Sequence, residues 1–537
     1  DCLSGYPVAI LAQAIFGRKD ATTSDGPVAP SHLPAMDCLS GLDHLALFRV
    51  FSCLPQADCL GLATVASVWL RLAGSCMRQL VLHKGMPLAP AAAIASQGFL
   101  HLKSVMVIGS ADSASAFWSQ VAALLERVEQ RKPQLEKLVL RDLVFGVGVV
   151  KLSDVAVAQV RVFQLVMQLA HNSAVLRQFE LAGVNLEAPV ASQASLVREL
   201  TALLGASPPL PALTALTAAD CDQALRCVRG AVFGPLGAQL ERLDLSSGGL
   251  RTGGAVTLAQ ALPNMKCLKV LMLGNNGIGP EGTFALARGL EFVRETLEDL
   301  DLSGNGLGPE GLQILGGPLQ QVQNLKALSL RGAWTSSEGV DALLELLRAI
   351  APKIERLDLS QNRLGPDGVR QLLAALPDLP QLRTLKIGEN YFATSEFCAR
   401  RGANFEKIAV AAPALEELDL GGVGIGSCVF ALTAIISALP RGLKELSLSS
   451  SKMQGAQMRH LVDAMPRMPE LRTLRLVQAQ MDDKAASSLE ALAGKLPALR
   501  VLDIRGNILS KQAISVLEKG LRQMPSFQEL RVSARRV

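Results

Sequence analysis

The chain has 537 residues, 49% hydrophobic and only 19% charged, a balance that excludes wholesale disorder and a charge-rich coiled coil. Fifty-three Lys and Arg stand against 48 Asp and Glu, and the small positive excess has no long basic run, so no nucleic-acid partner is expected. Ten cysteines without a C-x-x-C pair are too sparse for a disulfide scaffold; they read as reduced thiols in an intracellular protein, cytoplasmic or nuclear. No histidine stands in a metal-ligand spacing, so neither metal nor other cofactor is expected.

Residues 1–41 form an N-terminal segment whose stretch from Asp20 to Pro34 is rich in Thr, Ser, Gly and Pro without apolar periodicity, as a linker is. Residues 42–76 are different. Leu45, Leu47, Phe48, Val50, Phe51 and Leu54 give a helix that is apolar around most of its circumference and needs burial on more than one side. Pro55 ends it, Asp58 is placed to cap a second helix carrying Leu60, Leu62 and Val65, and a third short segment carries Trp69 and Leu72. A helical piece this small, below roughly 40 residues, rarely holds together alone.

The pattern formed by Leu42, Leu45, Phe51, Leu54, Pro55, Asp58, Leu60, Val65, Trp69, Leu72 and Ala73 resembles an F-box. It departs from that family at Asp43, where proline is favoured, and at Ala66, where a cysteine often follows the valine. The resemblance implies that Leu42, Leu45, Phe48, Phe51, Leu54, Pro55, Leu60, Val65, Trp69 and Leu72 dock the Skp-type subunit of a cullin-based ubiquitin ligase. The plainer reading makes these helices a cap, which the end of a repeat array requires for solubility.

From residue 77 the chain repeats itself. In residues 77–239 the units are irregular, starting at Leu102, Leu135, Leu176 and Leu213; in 240–537 they become regular, starting at Leu240, Leu268, Leu297, Leu325, Ile354, Leu382, Leu415, Leu443, Leu471 and Leu499 at steps of 28 or 29 apart from one of 33. In the unit beginning at Leu297, Leu300 and Leu302 alternate as a short strand, and Asn305 and Leu307 turn inward. Gly308, Pro309 and Gly311 mark a turn into a helix whose inner stripe is Leu312, Leu315 and Leu319. Asn276, Asn305, Asn362, Asn390 and Asn507 share one register, where a side-chain amide can satisfy backbone groups left free as the chain leaves its strand.

This pattern resembles the ribonuclease-inhibitor-type branch of the leucine-rich repeats. It implies an α/β solenoid, a horseshoe with parallel inner strands and outer helices. The uncharged run from Leu420 to Pro440 has the length of a membrane span, but its leucines keep the repeat register, so it reads as a buried turn and no membrane partner is expected. Gly277–Gly282 and Gly306–Gly311 match a dinucleotide-binding G-x-G-x-x-G, yet they recur one repeat apart and so read as turns. Carboxylates such as Glu241 and Asp244, or Glu298 and Asp301, precede Lys269 and Lys326 in the next unit, so stacked strands should pair opposite charges and leave no catalytic cluster.

Nine residues after each unit start stand, on consecutive units, Trp334, Arg363 and Tyr391. These residue types dominate protein–protein hot spots, and the long unit from Leu382 places its extra residues just after Tyr391. The expected function is a non-enzymatic substrate adaptor of a cullin-based ubiquitin ligase, with the repeats holding a protein substrate. The alternatives are a repeat scaffold or inhibitor that binds a protein partner, and a regulator of a small GTPase.

Overall fold

The computed structural model describes residues 78–84, 102–109, 115–142, 154–184, 210, 212–219, 235–333, 338–391 and 412–533. The F-box-like residues from Leu42 to Leu72, Trp334, and the extra residues of the long unit lie outside them. The chain divides into two compact units, Asp1–Leu213 and Thr214–Val537.

In the first unit, β1 (Gln79–Leu82), β2 (Ser104–Ile108), β3 (Lys137–Arg141) and β4 (Gln178–Ala182) pair in parallel and in chain order. Parallel neighbours need a crossover, and two of these are helices, Ser115–Gln130 and Asp154–His171. Leu102, Leu135 and Leu176 are buried, each two residues ahead of its strand, as the irregular units require. Trp118 is fully buried on the first helix, with its indole N–H unpartnered.

The second unit holds β5 (Ala215–Ala219), β6 (Arg242–Asp244), β7 (Val270–Met272), β8 (Asp299–Asp301), β9 (Ala327–Ser329), β10 (Arg356–Asp358), β11 (Thr384–Lys386), β12 (Glu417–Asp419), β13 (Glu445–Ser447), β14 (Thr473–Arg475), β15 (Val501–Asp503) and β16 (Glu529–Arg531). Each pairs in parallel with the next, and the register advances by one repeat: Leu271 lies opposite Leu243 and Leu300 opposite Leu271. The middle leucine of every strand from β6 to β15 is buried, and its two neighbours stand on the opposite face because side chains alternate along a strand. Burying one leucine stabilises by about 1.5–3 kcal/mol, so the repeated column of leucines is the main cohesive term.

Helices follow the turns. Pro280, Pro309 and Pro366 each stand in the first helical turn of Gly279–Leu290, Gly308–Gln321 and Gly365–Ala375, where a missing N–H costs nothing. Leu312, Leu315 and Leu319 form the buried stripe expected of them. The run from Leu420 to Pro440 contains a helix of only nine residues, Val429–Ser437, with Leu432, Ile435 and Ile436 turned inward. Among the described residues no helix is long and apolar enough to cross a membrane.

One expectation needs correction. Cys428 is disulfide-bonded, whereas Cys267 is a free, exposed thiol. A disulfide needs two Cα atoms within about 4.4–6.8 Å of each other, a proximity that cysteine spacing along the chain does not reveal.

Candidate functional site

The site begins with the asparagine column. Asn305 donates from Nδ2 to the carbonyls of Leu273 (2.8 Å) and Leu302 (3.0 Å), and its Oδ1 accepts from the N–H of Asn276 (2.9 Å) and Ile278 (3.3 Å). Asn276, Asn390 and Asn507 bridge their own turn and the preceding one in the same way, and Asn362 donates to Leu330 and Leu359. The backbone carbonyl at this position accepts from the preceding turn whether or not the residue is Asn: Gly279 donates to that of Asn305, Gly308 to that of Ala333, and Met453 to that of Ala479. Each turn is thereby fixed to its neighbour before any side chain reaches solvent.

The fixed turns force left-handed backbone at set positions. Three residues after the last residue of β7 to β11, Asn275, Gly304, Gly332, Gln361 and Glu389 have φ near +60° (57°, 63°, 60°, 61° and 56°). Two residues further on, Gly277, Gly306, Arg363 and Tyr391 do as well (62°, 61°, 54° and 49°). Glycine adopts this conformation freely, while a residue with a Cβ is strained there by about 1–2 kcal/mol. Arg363 and Tyr391 are therefore held in a conformation that their side chains disfavour, and both project into solvent, Tyr391 with 63% of its surface exposed.

The first column, with Arg363 and Tyr391 of the second, lines a groove of about 640 Å³ walled by Asn275, Gly304, Gly332, Gln361, Asn362, Arg363, Glu389 and Tyr391. Gly304 and Gly332 leave its middle open; a Cβ on Gly304 would collide with Asn275 Oδ1. A hydrogen-bonded row runs along the groove, Arg331 Nε donating to Gln361 Oε1 (3.1 Å) and Gln361 Nε2 to Glu389 Oε2 (2.9 Å). The groove thus offers an aromatic ring, one cation, one anion and amides on a preset backbone, a set suited to another protein's surface. Register alone had indicated Arg363 and Tyr391, and the structure brings both to this groove. Gln361, Glu389 and the paired glycines were missed, although they stand two places earlier in the same register.

The carboxylates behave in two ways. Those just ahead of the strands pair with the next or previous unit as expected: Glu241 with Lys269 (3.0 Å), Glu298 with Lys326 (2.8 Å), and Glu416 with both Arg383 and Lys444 (2.9 Å each). The aspartates at the strand ends do not. Asp244, Asp301, Asp358 and Asp419 accept instead from the backbone N–H two residues on (3.1, 2.8, 2.9 and 2.9 Å), because the chain curls back over them as it leaves the strand. Burial raises the pKa of Asp299, and its ion pair with Arg356 at 3.6 Å spans two strands. The matches to G-x-G-x-x-G resolve into turn glycines: Gly277, Gly279, Gly306 and Gly308 all have positive φ. Among the described residues no group of His, Cys, Asp and Glu could hold a metal ion.

Comparison with known proteins agrees with this geometry. A family model described as leucine-rich repeat matches residues 264–287, 295–316 and 351–373. NACHT, LRR and PYD domains-containing protein 5 of Bos taurus is 27% identical, over 53% of this chain and 23% of its own length. Ribonuclease inhibitor of Sus scrofa is 26% identical, over 58% of this chain and 69% of its own length. The mouse ribonuclease inhibitor is 29% identical, over 49% of this chain and 57% of its own. The chain therefore spans less than a quarter of the first of these relatives. Parallel three-residue strands, an asparagine column, proline-started helices and matched repeat segments together show an α/β leucine-rich-repeat solenoid fold.

Proposed function

We propose that the protein is a non-catalytic scaffold that binds a protein partner across the turn groove. The observation that carries this reading is the pair Arg363 and Tyr391, two exposed hot-spot residue types held in left-handed backbone on adjacent turns of one groove. Trp334 shares their register in the sequence. Two of the similar proteins are named as ribonuclease inhibitors, which act on another protein. The engagement of the strand-face carboxylates in turns and ion pairs supports a binding role over a catalytic one.

The F-box-like sequence of residues 42–76 supports a narrower role, as the substrate adaptor of a cullin-based ubiquitin ligase. In that role Leu54, Pro55 and Trp69, with their neighbours, dock a Skp-type subunit while the groove holds the substrate. Co-expression of the full chain with a Skp-family subunit tests it. Co-elution in size-exclusion chromatography, lost in Leu54→Asp and Trp69→Ala, is the expected result. A folded, monodisperse chain that elutes alone would leave the scaffold role and remove the ligase one.

A further inference from the structure

Immediately ahead of the short strands, charge alternates at every step from Glu241 to Lys444, with ion pairs between Glu241 and Lys269, Glu298 and Lys326, Arg383 and Glu416, and Glu416 and Lys444. The alternation then stops: Lys444 is followed by Arg472 and Arg500, and these by the uncharged Gln528. Lys444 shares Glu416 with Arg383, both at 2.9 Å. Arg472 and Arg500 are exposed, and among the described residues neither side chain has an ion-pair partner. Their backbones are hydrogen-bonded, Arg500 N–H to the Arg472 carbonyl at 2.8 Å, so two like charges stand side by side at about the 4.8 Å strand spacing. Such a pair destabilises a sheet.

The carboxylates on β13 to β16 offer no relief. Glu445 is bonded to Arg475 (2.8 Å), Asp503 to Arg505 (2.7 Å) and Glu529 to Arg531 (2.9 Å). Two adjacent cations, Arg472 and Arg500, left without an ion-pair partner among the described residues are the mark of a surface that meets negative charge from outside. It lies at the leading ends of the strands, whereas the turn groove follows their trailing ends.

We infer that Lys444, Arg472 and Arg500 form a docking strip for an acidic helical segment of a partner protein. Carboxylates three or four residues apart on a helix lie about 5–6 Å from one another, close to the strand spacing that separates these cations. Arginine can take a carboxylate in two parallel hydrogen bonds, which fixes orientation as well as charge. A helix also carries its carboxylates on one face and can turn other residues toward Glu445, Asp503 and Glu529. A phosphate chain, with a charge about every 3.4 Å of strand, would have to cross those anions.

The test is a fluorescence-anisotropy titration of the full chain with an alanine-rich helical peptide bearing glutamates at i, i+4 and i+8, alongside the same peptide with glutamines. The glutamate peptide should bind the wild type, and should bind the Arg472→Gln, Arg500→Gln double variant about tenfold or more weakly, with the loss growing as salt is lowered. Lys269→Gln, which removes a cation of the alternating part, should leave its affinity unchanged. The double variant should melt at the wild-type temperature or above it, because a like-charge pair has been removed; that separates lost binding from lost folding. Equal binding of the two peptides, or undiminished binding by the double variant, would overturn the inference. So would a single-stranded oligonucleotide that binds more tightly than the glutamate peptide and loses affinity in the same variant.

Discussion

At the scale of single residues, backbone strain separates positions kept for the fold from positions spent on a surface. Tyr391 and Arg363 occupy a turn position that Gly249, Gly277, Gly306 and Gly424 fill elsewhere, all with positive φ. Tyr391→Gly removes about 1–2 kcal/mol of left-handed strain and adds about 0.5–1 kcal/mol of chain entropy to the unfolded state. Urea unfolding should therefore find the variant as stable as the wild type, or up to about 1.5 kcal/mol more so. Capture of a groove-binding partner should fall about tenfold or more, the usual loss for a hot-spot aromatic; a variant that loses stability along with binding would make Tyr391 a packing residue. Asn305 is the opposite case. It is 1% exposed and hydrogen-bonds five backbone groups on two turns, and each polar group left buried and unpaired costs about 1–3 kcal/mol. Water and local relaxation recover part of that, so Asn305→Ala should cost about 3 kcal/mol in the same urea experiment. Asn507→Ala should cost less, because Asn507 is only partly buried.

At the scale of elements, helix stripes and strands were legible in the sequence, whereas helix ends were not. Leu312, Leu315 and Leu319 announce their helix by spacing, and burial follows from that spacing alone. The carbonyls ending this helix are satisfied by a residue one repeat later: Lys353 Nζ donates to Leu319 and Gln320 at 3.0 Å each, and also to Val322. Lys495 does the same for the helix Gly455–Ala464, reaching Val462 at 2.7 Å and Asp463 at 3.0 Å. Rules for reading helix ends look within the helix and its flanks, so a cap supplied from more than thirty residues away is invisible to them. The aspartates of the strand ends escaped for a related reason: sequence shows the charge but not the backbone curl that offers an N–H. Lys353→Met keeps the aliphatic stem and removes the donor, and should cost about 1.5–3 kcal/mol, the range for a hydrogen bond to a charged group. Amide hydrogen exchange should speed up in the last turn of Gly308–Gln321 and stay unchanged in Gly455–Ala464. Uniformly faster exchange across the repeats would mean that Lys353 stabilises through packing instead.

At the scale of the whole molecule, repetition is what made the fold legible: a leucine column and a glycine-proline turn recur until the period itself identifies the architecture. The groove was only partly legible, because register names Arg363 and Tyr391 while its open middle depends on what Gly304 and Gly332 lack. Repetition also concentrates charge into columns, and acid should act on many units together. Hydrogen bonds from Lys103, Lys326, Lys444 and Arg531 hold the carboxyls of Glu136, Glu298, Glu416 and Glu529, respectively, below the usual glutamate range. A carboxyl whose folded pKa is lowered stabilises the fold above its unfolded pKa and loses that contribution as pH falls through the folded value. The urea midpoint should therefore hold from pH 7 to about pH 5 and drop below the usual glutamate pKa of about 4.3. Asp299 runs the other way: burial raises its pKa above 3.8, so protonation favours the folded chain, and Asp299→Asn should raise stability at pH 7. All four glutamates are open to solvent, so raising ionic strength from about 0.1 M to about 1 M, which shortens screening from about 10 Å to about 3 Å, should shrink the acid-induced drop. Glu298→Gln with Glu416→Gln should flatten it further, since the uncharged amides no longer titrate. An acid limb unchanged in that double variant would assign the pH dependence to carboxylates outside these columns.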